Sequence, residues 1–193
     1  MTSRDWELYG RLLFPKGLGY PLFSPTVPAN FPLERRKTGI KIGDVGYVRD
    51  GSFEAVFNIL HDANDQDFNP WGVPPGFEKV VLSPLDIARL ENVQDKRAHI
   101  ASHSVQKQEI DLHGSAQVHA CVVILVLPDG ASREVLLPLE SFNTQALKHA
   151  ENWYHFVQKS QNRRVVNGDL YLITEVTKCK SWSINALELR VIK

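Results

Sequence analysis

An acidic loop holds the residues of this sequence whose types come closest to a catalytic or metal-binding set. The segment HDANDQDFNPWG, residues 61–72, places His61 ahead of three aspartates and ends near Trp71. An EF-hand loop starting at Asp62 requires glycine at position 67 and glutamate at position 73, where this chain has Asp67 and valine. We therefore predict a solvated turn, and keep as the alternative an irregular cation site built from Asp62, Asp65 and Asp67.

His119 and Cys121 form a second candidate pair, because they lie two residues apart in an apolar segment. On a strand such residues share a face at about 7 Å, a distance that two ligands of one zinc ion tolerate. The neighbouring sequence supplies no third or fourth ligand, so His61, His99 or His103 would have to come from elsewhere in the fold. We predict no metal site and interpret the pair as part of a half-buried strand.

A cysteine nucleophile is the other chemistry that the residue types allow. Catalytic cysteines need a helix N-terminus or fixed positive charge that stabilises the thiolate. Cys121 begins an apolar strand, where burial raises a thiol pKa, while Cys179 lies between Lys178 and Lys180 in a predicted turn. A hydrolase or nuclease whose site is assembled from distant residues stays the second function hypothesis, with these candidates: His61, Asp62, Asp65, His103 and Cys179.

The short motifs of common enzyme classes are missing from this sequence. It contains no GxxxxGK[ST], strand-anchored GxGxxG, HExxH, GxSxG or CxxC pattern. One basic cluster, formed by Lys159, Arg163 and Arg164, follows a predicted long helix. Positive charge at a helix C-terminus complements the macrodipole, which is our interpretation, with phosphate binding as the alternative. We expect no cofactor.

Composition restricts the classes of partner. The 193 residues include 22 Lys and Arg and 22 Asp and Glu, which give a net charge of zero. No overall field therefore attracts the chain to nucleic acid or anionic lipid, and we expect neither as a partner. Two cysteines are too few for a disulfide framework, and neither a signal peptide nor a transmembrane run of about 20 apolar residues is recognisable. We expect a cytoplasmic protein.

The first 60 residues contain three predicted elements. An amphipathic segment, Trp6 to Phe14, precedes a proline-rich stretch up to residue 38, which we interpret as an extended segment packed on the domain rather than a polyproline ligand. Asp50-Gly51 lies between two alternating apolar runs, a pattern typical of a hairpin with a type I′ turn. Glycines at positions 43 and 46 indicate a bulge or a close backbone approach in the first strand.

The remaining residues indicate one short helix, one long helix and several strands. We predict a short helix after Ser83, strands near residues 103–111, 116–127 and 132–137, and a long helix capped by Ser141. A strand over DLYLITEVTK and a strand over SWSINALELRVI then predict a C-terminal hairpin. The fold class that we predict is α+β, with a mostly antiparallel sheet in a single domain over residues 1–193.

Several blocks resemble a family of uncharacterised intracellular proteins of mushroom-forming fungi. They are GYPLFSP, IGDVGYV, FEAVFNI, GVPPGFE, HIASHSV, PDGASRE, HAENWYHFV and NGDLYLIT, in this order along the chain. The resemblance implies a recognition or assembly module without assigned enzyme activity, and it carries over no catalytic residues. The family pattern continues with Gly-Cys-Asp-Lys-Thr before a Ser-Trp pair. Here Ser181-Trp182 is present, but Glu175 and Lys178-Cys179-Lys180 depart from it.

Our first function hypothesis is a non-enzymatic intracellular module that binds a protein partner or its own copies. It predicts an exposed apolar or aromatic patch, which we expect around Trp71, Phe77 and the proline-rich segment. A third hypothesis is a membrane-active protein, in which the strands between residues 103 and 127 rearrange and insert into a bilayer. Zero net charge makes us expect that membranes are not the partner.

Overall fold

The structure, a computed structural model, describes residues 5–102, 105–110, 116–160, 165–166 and 168–192. Its elements, in chain order, are helix α1 (Asp5–Leu13), helix α2 (Leu33–Thr38), strands β1 (Asp44–Arg49), β2 (Ser52–Asn58), β3 (Ile87–Gln94), β4 (Ala98–Ala101), β5 (Val105–Ile110), β6 (Ala116–Leu127) and β7 (Ala131–Leu136), helix α3 (Glu140–Ser160), and strands β8 (Leu170–Leu172), β9 (Glu175–Lys178) and β10 (Ser183–Ile192). The predicted α+β class is confirmed, with the strands in three small sheets.

The chain divides into two compact units. Unit 1 contains Met1–Pro21, Glu91–Ser132 and Thr177–Lys193, and unit 2 contains Leu22–Leu90 and Arg133–Val176. Each unit therefore combines segments that are far apart in sequence. The expectation of a single domain stays a prediction.

The predicted hairpin is confirmed in unit 2, where β1 pairs antiparallel with β2. Asp50 and Gly51 have φ angles of 48° and 77°, as a type I′ turn requires. The predicted irregularity is confirmed too, because the register shifts between Val45 and Gly46. A Cβ atom on Gly46 would lie 2.2 Å from the carbonyl oxygen of Glu54, so only glycine allows the strands to approach this closely.

The predicted strand over DLYLITEVTK is two strands that belong to two sheets. β8 pairs with β1, while β9 joins the sheet with the order β3, β7, β9. The change of sheet falls between adjacent residues: the N–H of Ile173 donates to Asp44 O, and Thr174 O accepts from the N–H of Leu136. β10 pairs with β6 and not with β9, so the predicted C-terminal hairpin is wrong.

Helix α3 lies against the apolar core of unit 2, as its spacing predicts. Phe142, Trp153 and Val157 are buried with the apolar residues of β1 and β2. The predicted Ser141 cap is wrong, because the helix begins one residue earlier and Leu139 O accepts the first helical bond, from the N–H of Asn143. Ser141 therefore lies inside the first turn, where its Oγ is buried without a hydrogen-bond partner among the described residues.

The predicted short helix after Ser83 is wrong, because the chain makes a tight turn there and then enters β3. The N–H of Asp86 donates to Ser83 O, and the N–H of Ser83 donates to a carboxylate oxygen of Asp86. Ser83 and Pro84 are typical of turns as well as of helix starts, so the local sequence does not distinguish the two. Pairing with β7 selects the strand for the residues that follow.

Unit 1 consists of α1 and a sheet in which β6 pairs antiparallel with β4, β5 and β10. The predicted strands near residues 103–111 and 116–127 are confirmed as β5 and β6 for the residues that the structure describes. Ser102 is bonded to Val123 through both its N–H and its Oγ. The buried face of α1 includes Tyr9, Leu12 and Leu13, as the amphipathic pattern predicts.

The proline-rich stretch contains neither strand nor helix between residues 17 and 32, in agreement with its proline spacing. Its last six residues form α2, where no proline interrupts the chain, so the interpretation as an extended segment is wrong there. In unit 2, the N–H of Ser24 donates to Gly51 O, and the ring of Phe31 packs edge-on against Trp71, with 4.7 Å between ring centroids. In unit 1, Tyr20 is 46% exposed and lies near Phe14 rather than being buried. Among the residues that the structure describes, no helix has the length and apolar character needed to cross a bilayer.

Candidate functional site

A buried ion pair forms the centre of the polar network in unit 2. The guanidinium of Arg35, on α2, donates to both carboxylate oxygens of Asp44, at 2.8 and 2.6 Å. Asp44 Oδ2 also accepts from the backbone N–H of Lys41, at 2.6 Å. The Arg35 and Asp44 side chains are 3% and 0% exposed, so this bidentate pair is shielded from solvent.

Two buried asparagines connect this pair to the acidic loop. Asn58 Nδ2 donates to Asp44 Oδ1, at 2.8 Å, and its Oδ1 accepts from the N–H of Leu60. The N–H of Asn58 donates in turn to Asn69 Oδ1, at 2.7 Å, and Asn69 Nδ2 donates to Asp62 O. Both asparagines are fully buried. The network therefore fixes the loop after β2 against the end of the hairpin.

His61 and Asp65 are brought together at the surface of this network. His61 Nδ1 lies 2.9 Å from Asp65 Oδ2, and the imidazole stacks on the ring of Phe68 with 3.8 Å between centroids. The cationic groups of Lys41 and Arg35 lie within cation–π distance of the same ring, at 4.7 and 5.6 Å from its centroid. Phe68 thus connects the histidine to the buried ion pair.

The pKa of Asp65 is lowered from its ordinary value. Burial alone raises this pKa, but the hydrogen bond with His61 and the bonds from the N–H groups of Asp67 and Phe68 to Asp65 Oδ1 outweigh burial. These bonds form a turn that is closed by the side chain of Asp65, which accepts from backbone N–H groups two and three residues later. The lowered pKa is explained by the turn, so it does not require a catalytic role.

The alternative of a cation site at Asp62, Asp65 and Asp67 is wrong, because the three carboxylates do not converge. Asp62 Oδ1 accepts from Lys79 Nζ at 2.9 Å, and its side chain is 78% exposed. Asp65 is engaged with His61, while Asp67 contributes its backbone N–H to the turn. Over the described part of the chain, no group of three or more His, Cys, Asp or Glu side chains has a geometry that holds a metal ion.

The other candidate residues belong to the other unit or lie outside the described residues. Cys179 belongs to unit 1, whereas His61, Asp62 and Asp65 belong to unit 2. Burial raises the pKa of the Cys179 thiol, which opposes the thiolate that a nucleophile needs, although a backbone hydrogen bond acts in the other direction. The predictions for His103, Arg163 and Arg164, and for the side chains of His119 and Cys121, lie outside the described residues.

The aromatic patch expected around Trp71 and Phe77 is only partly present. Trp71 is 37% exposed and is packed against Phe31, while Phe77 lies against the core with its ring edge-on to Phe57. Trp71 is therefore a partly accessible aromatic residue, and Phe77 is half-buried.

A more exposed apolar surface lies elsewhere in unit 2. An open groove of about 450 Å³ is lined by these residues, which together we call the apolar groove: Val81, Leu82, Asp86, Pro138, Glu140 and Ser141. Its two segments are joined by a hydrogen bond from the N–H of Leu137 to Asp86 O. Val81, which lines the groove, is 83% exposed. In the same two segments, next to lining residues in the sequence, Leu85, Leu137 and Leu139 are 84%, 61% and 45% exposed. Aliphatic exposure on this scale is typical of binding surfaces.

Comparisons with known proteins do not identify the site. No protein-family model, no curated protein and no solved structure matches this chain. The resemblance to the fungal family therefore stays a prediction that rests on the sequence blocks alone.

Sequence reasoning missed the network and the groove. Arg35 belongs to a basic run, and Asp44, Asn58 and Asn69 are single polar residues next to apolar ones. The available signal was that a polar residue at the edge of a predicted core strand is buried only with a partner. That signal marks Asp44 and Asn58 but does not identify the partner.

Proposed function

We propose that this chain is a non-enzymatic recognition module that binds an apolar protein segment in the apolar groove. The observation that supports the proposal is the exposure of four large aliphatic side chains along the two segments that form it: Val81, Leu85, Leu137 and Leu139. The groove is open and shallow, a shape that suits a protein segment better than an enclosed small molecule. Its backbone is fixed by the bond between Leu137 and Asp86.

The buried network supports the same proposal, because its polar groups form hydrogen bonds with one another instead of facing a substrate. Arg35, Asp44, Asn58 and Asn69 bond to each other and to the backbone, which leaves their groups engaged in structure. Such a network gives a rigid scaffold to the hairpin and the loop. The N–H of Val80, next to the groove residue Val81, donates to Ile59 O beside Asn58, so one side of the groove is bonded to this scaffold. A rigid scaffold lowers the ordering cost of binding.

Selection of peptides from a displayed random library tests this proposal. Selection on the wild-type protein is expected to enrich peptides with large apolar residues, and Val81→Asp, at an exposed residue of the groove lining, is expected to weaken their binding by at least about tenfold. Leu33→Asp is the matched control, because Leu33 is also exposed, at 56%, and does not line the groove. Equal loss of binding in both variants, or no enrichment at all, contradicts the proposal.

The hydrolase hypothesis includes Cys179 among its candidate residues, and a nucleophilic role for Cys179 needs a reactive thiol. With Cys121 replaced by serine, Cys179 is expected to react with iodoacetamide more slowly than free glutathione at neutral pH, because burial raises its pKa. Faster reaction than glutathione would revive the hypothesis.

Cys179 is a free cysteine, which supports the proposed cytoplasmic location.

The membrane-active hypothesis depends on β5 and β6. The two strands pair antiparallel, but their side chains up to Cys121 lie outside the described residues. The hypothesis therefore stays a prediction, and leakage of dye from lipid vesicles is the measurement that tests it.

A further inference from the structure

Unit 1 exposes a compact aromatic projection directly after α1, which we call the aromatic knob (Phe14, Lys16, Leu18 and Tyr20). Its three apolar side chains are 57%, 44% and 46% exposed for Phe14, Leu18 and Tyr20. The rings of Phe14 and Tyr20 lie side by side, with 6.3 Å between centroids. Exposed aromatic residues grouped in this way are typical of the anchors that fill a partner's pocket.

The backbone of the knob is held in one shape. Phe14–Lys16 form a single helical turn, closed by a hydrogen bond from the N–H of Gly17 to Phe14 O. Gly17 and Gly19 have φ angles of 70° and 90°, values that favour glycine over other residues. No other atom lies within 4 Å of a Cβ placed on either glycine, so the turn projects into open space. A preshaped projection loses little freedom when it binds.

The knob and the apolar groove carry opposite charges. Lys16 lies in the knob and Arg11 is in the last turn of α1 before it. Asp86 and Glu140 line the groove. Among the ion pairs of the described residues, none involves any of these four side chains. The Asp86 carboxylate accepts a hydrogen bond from the N–H of Ser83, but its negative charge has no cationic partner in this set. Complementary charge around an apolar contact favours one orientation of docking.

We propose that the occupant of the apolar groove is the aromatic knob of a second copy of this chain. Phe14 and Leu18 then enter between the exposed aliphatic residues, and Lys16 approaches Asp86 and Glu140. This inference rests on the proposed function and names its partner. Because knob and groove are different surfaces, the contact is heterologous and joins copies head to tail. A net charge of zero means that copies do not repel one another as they approach.

Sedimentation equilibrium of the full chain tests the first part of the proposal. The wild-type protein is expected to associate as its concentration rises. Phe14→Asp in the knob and Val81→Asp in the groove are each expected to weaken association by at least about 30-fold. Trp182→Asp and Leu33→Asp, at exposed residues outside the knob and the groove lining, are the controls expected to associate like the wild type. Circular dichroism and urea midpoints check that every variant folds.

A mixing experiment separates head-to-tail contact from a symmetric dimer. The Phe14→Asp protein retains the groove, and the Val81→Asp protein retains the knob. Native mass spectrometry is therefore expected to show each variant alone as a monomer and their mixture as a one-to-one complex that grows no further. Two variants that stay apart when mixed, although the wild type associates, overturn the inference.

Charge reversal adds an independent requirement. Lys16→Glu and Glu140→Lys are each expected to weaken association by about threefold, because an exposed ion pair contributes little by itself. Combining both reversals in one chain is expected to restore association to the wild-type strength. Failure of the double variant to recover, when both single variants are weakened, also counts against the proposed contact.

The failure of this inference is distinguishable from the failure of the proposed function. A wild-type chain that stays monomeric at every concentration, while library peptides still bind the groove and lose affinity in Val81→Asp, overturns the second copy alone. Monomeric wild type that binds phosphatidylserine vesicles through Phe14 also overturns it and assigns the knob to a lipid surface. Absence of both association and peptide binding overturns the two proposals together.

Discussion

The guanidinium of Arg35 and the carboxylate of Asp44 make two hydrogen bonds, at 2.8 and 2.6 Å, with both side chains almost completely buried. The two residues come from different elements, α2 and β1, so the pair fixes the short helix to the hairpin. The Asp44 carboxylate also accepts hydrogen bonds from Asn58 and from the backbone N–H of Lys41. Within the described network, Asp44 is the only carboxylate that pairs with Arg35.

Removal of one partner is expected to cost far more than the pair contributes. Arg35→Met leaves a buried carboxylate without its cation, and we expect the free energy of unfolding to fall by about 3–5 kcal/mol. Urea unfolding measures the loss. Arg49→Met is the matched control, since Arg49 Nη1 lies 3.5 Å from Glu54 Oε1 and both side chains are partly exposed. For this variant we expect the free energy of unfolding to fall by less than about 1 kcal/mol. Equal losses in both variants would contradict the buried pair.

The lowered pKa of Asp65 makes the acidic loop sensitive to acid. Burial opposes ionisation, but the bonds from His61 and two backbone N–H groups favour the carboxylate. The folded state therefore releases the proton more readily than the unfolded state. The stabilisation is complete above the ordinary aspartate pKa of about 3.9, and it is lost as the pH falls through the lower folded value.

Asp65→Asn is expected to flatten the fall in stability over that acidic range. Urea midpoints between about pH 5 and about pH 2.5 measure the effect. Asp67→Asn is the control, because the loop uses the backbone of Asp67 rather than its carboxylate in the turn. The same pH dependence in wild type and Asp65→Asn would show that the His61 contact does not stabilise the fold.

Gly46 and Gly10 are expected to respond to alanine with opposite signs. At Gly46 the added Cβ would meet the backbone of Glu54 at 2.2 Å, so Gly46→Ala must separate β1 from β2 and is expected to cost about 1–3 kcal/mol or more. At Gly10, inside α1, the nearest atom is the Tyr20 hydroxyl at 3.5 Å, an ordinary contact. Gly10→Ala is expected to stabilise by about 0.5–1 kcal/mol. Thermal and urea unfolding measure both changes, and destabilisation by both would be contrary to this packing.

Tyr9 gives unit 1 a sensitivity to alkaline pH. Burial, with a smaller contribution from Cys179, raises the pKa of Tyr9 to about 12. The unfolded chain ionises near the ordinary value of about 10, so stability is present below that pH and falls as the pH rises towards 12.

Tyr9→Phe is expected to remove most of this alkaline fall, which amounts to about 2–3 kcal/mol at its full extent. Urea unfolding between about pH 9 and about pH 11.5 follows it, and ultraviolet absorbance of phenolate reports the titration directly. Tyr171→Phe is the control, because Tyr171 is 43% exposed. A phenolate that forms on Tyr9 at the ordinary pH would contradict its burial.

The local elements were predictable because their signals lie within a few residues. Asp50-Gly51 satisfies the backbone angles of the turn by itself, and the apolar spacing of α3 matches the face that it buries. The Ser83 segment shows the limit of such signals. Its turn residues fit a helix start equally well, and pairing with β7 decides the outcome.

The site was less predictable, since it depends on contacts between distant residues. The apolar groove joins segments near residues 81–86 and 137–141, and no pattern within either segment indicates the other. The sequence placed His61, Asp62 and Asp65 correctly in one loop. The hydrogen bonds of that loop could not be predicted, because they depend on the buried asparagines Asn58 and Asn69.

The change of sheet at Ile173 and Thr174 has a consequence for hydrogen exchange. The N–H of Ile173 donates to Asp44 O at the start of β1, and Thr174 O accepts from the N–H of Leu136 at the end of β7. Two adjacent residues therefore each form a hydrogen bond to a different sheet. Because the two bonded residues are adjacent in the chain, opening either sheet at this point is expected to displace the residue that bonds to the other sheet. The amides of Ile173 and Leu136 should therefore exchange with deuterium through one shared opening event, as a single cooperative unit rather than as two independently fraying edges.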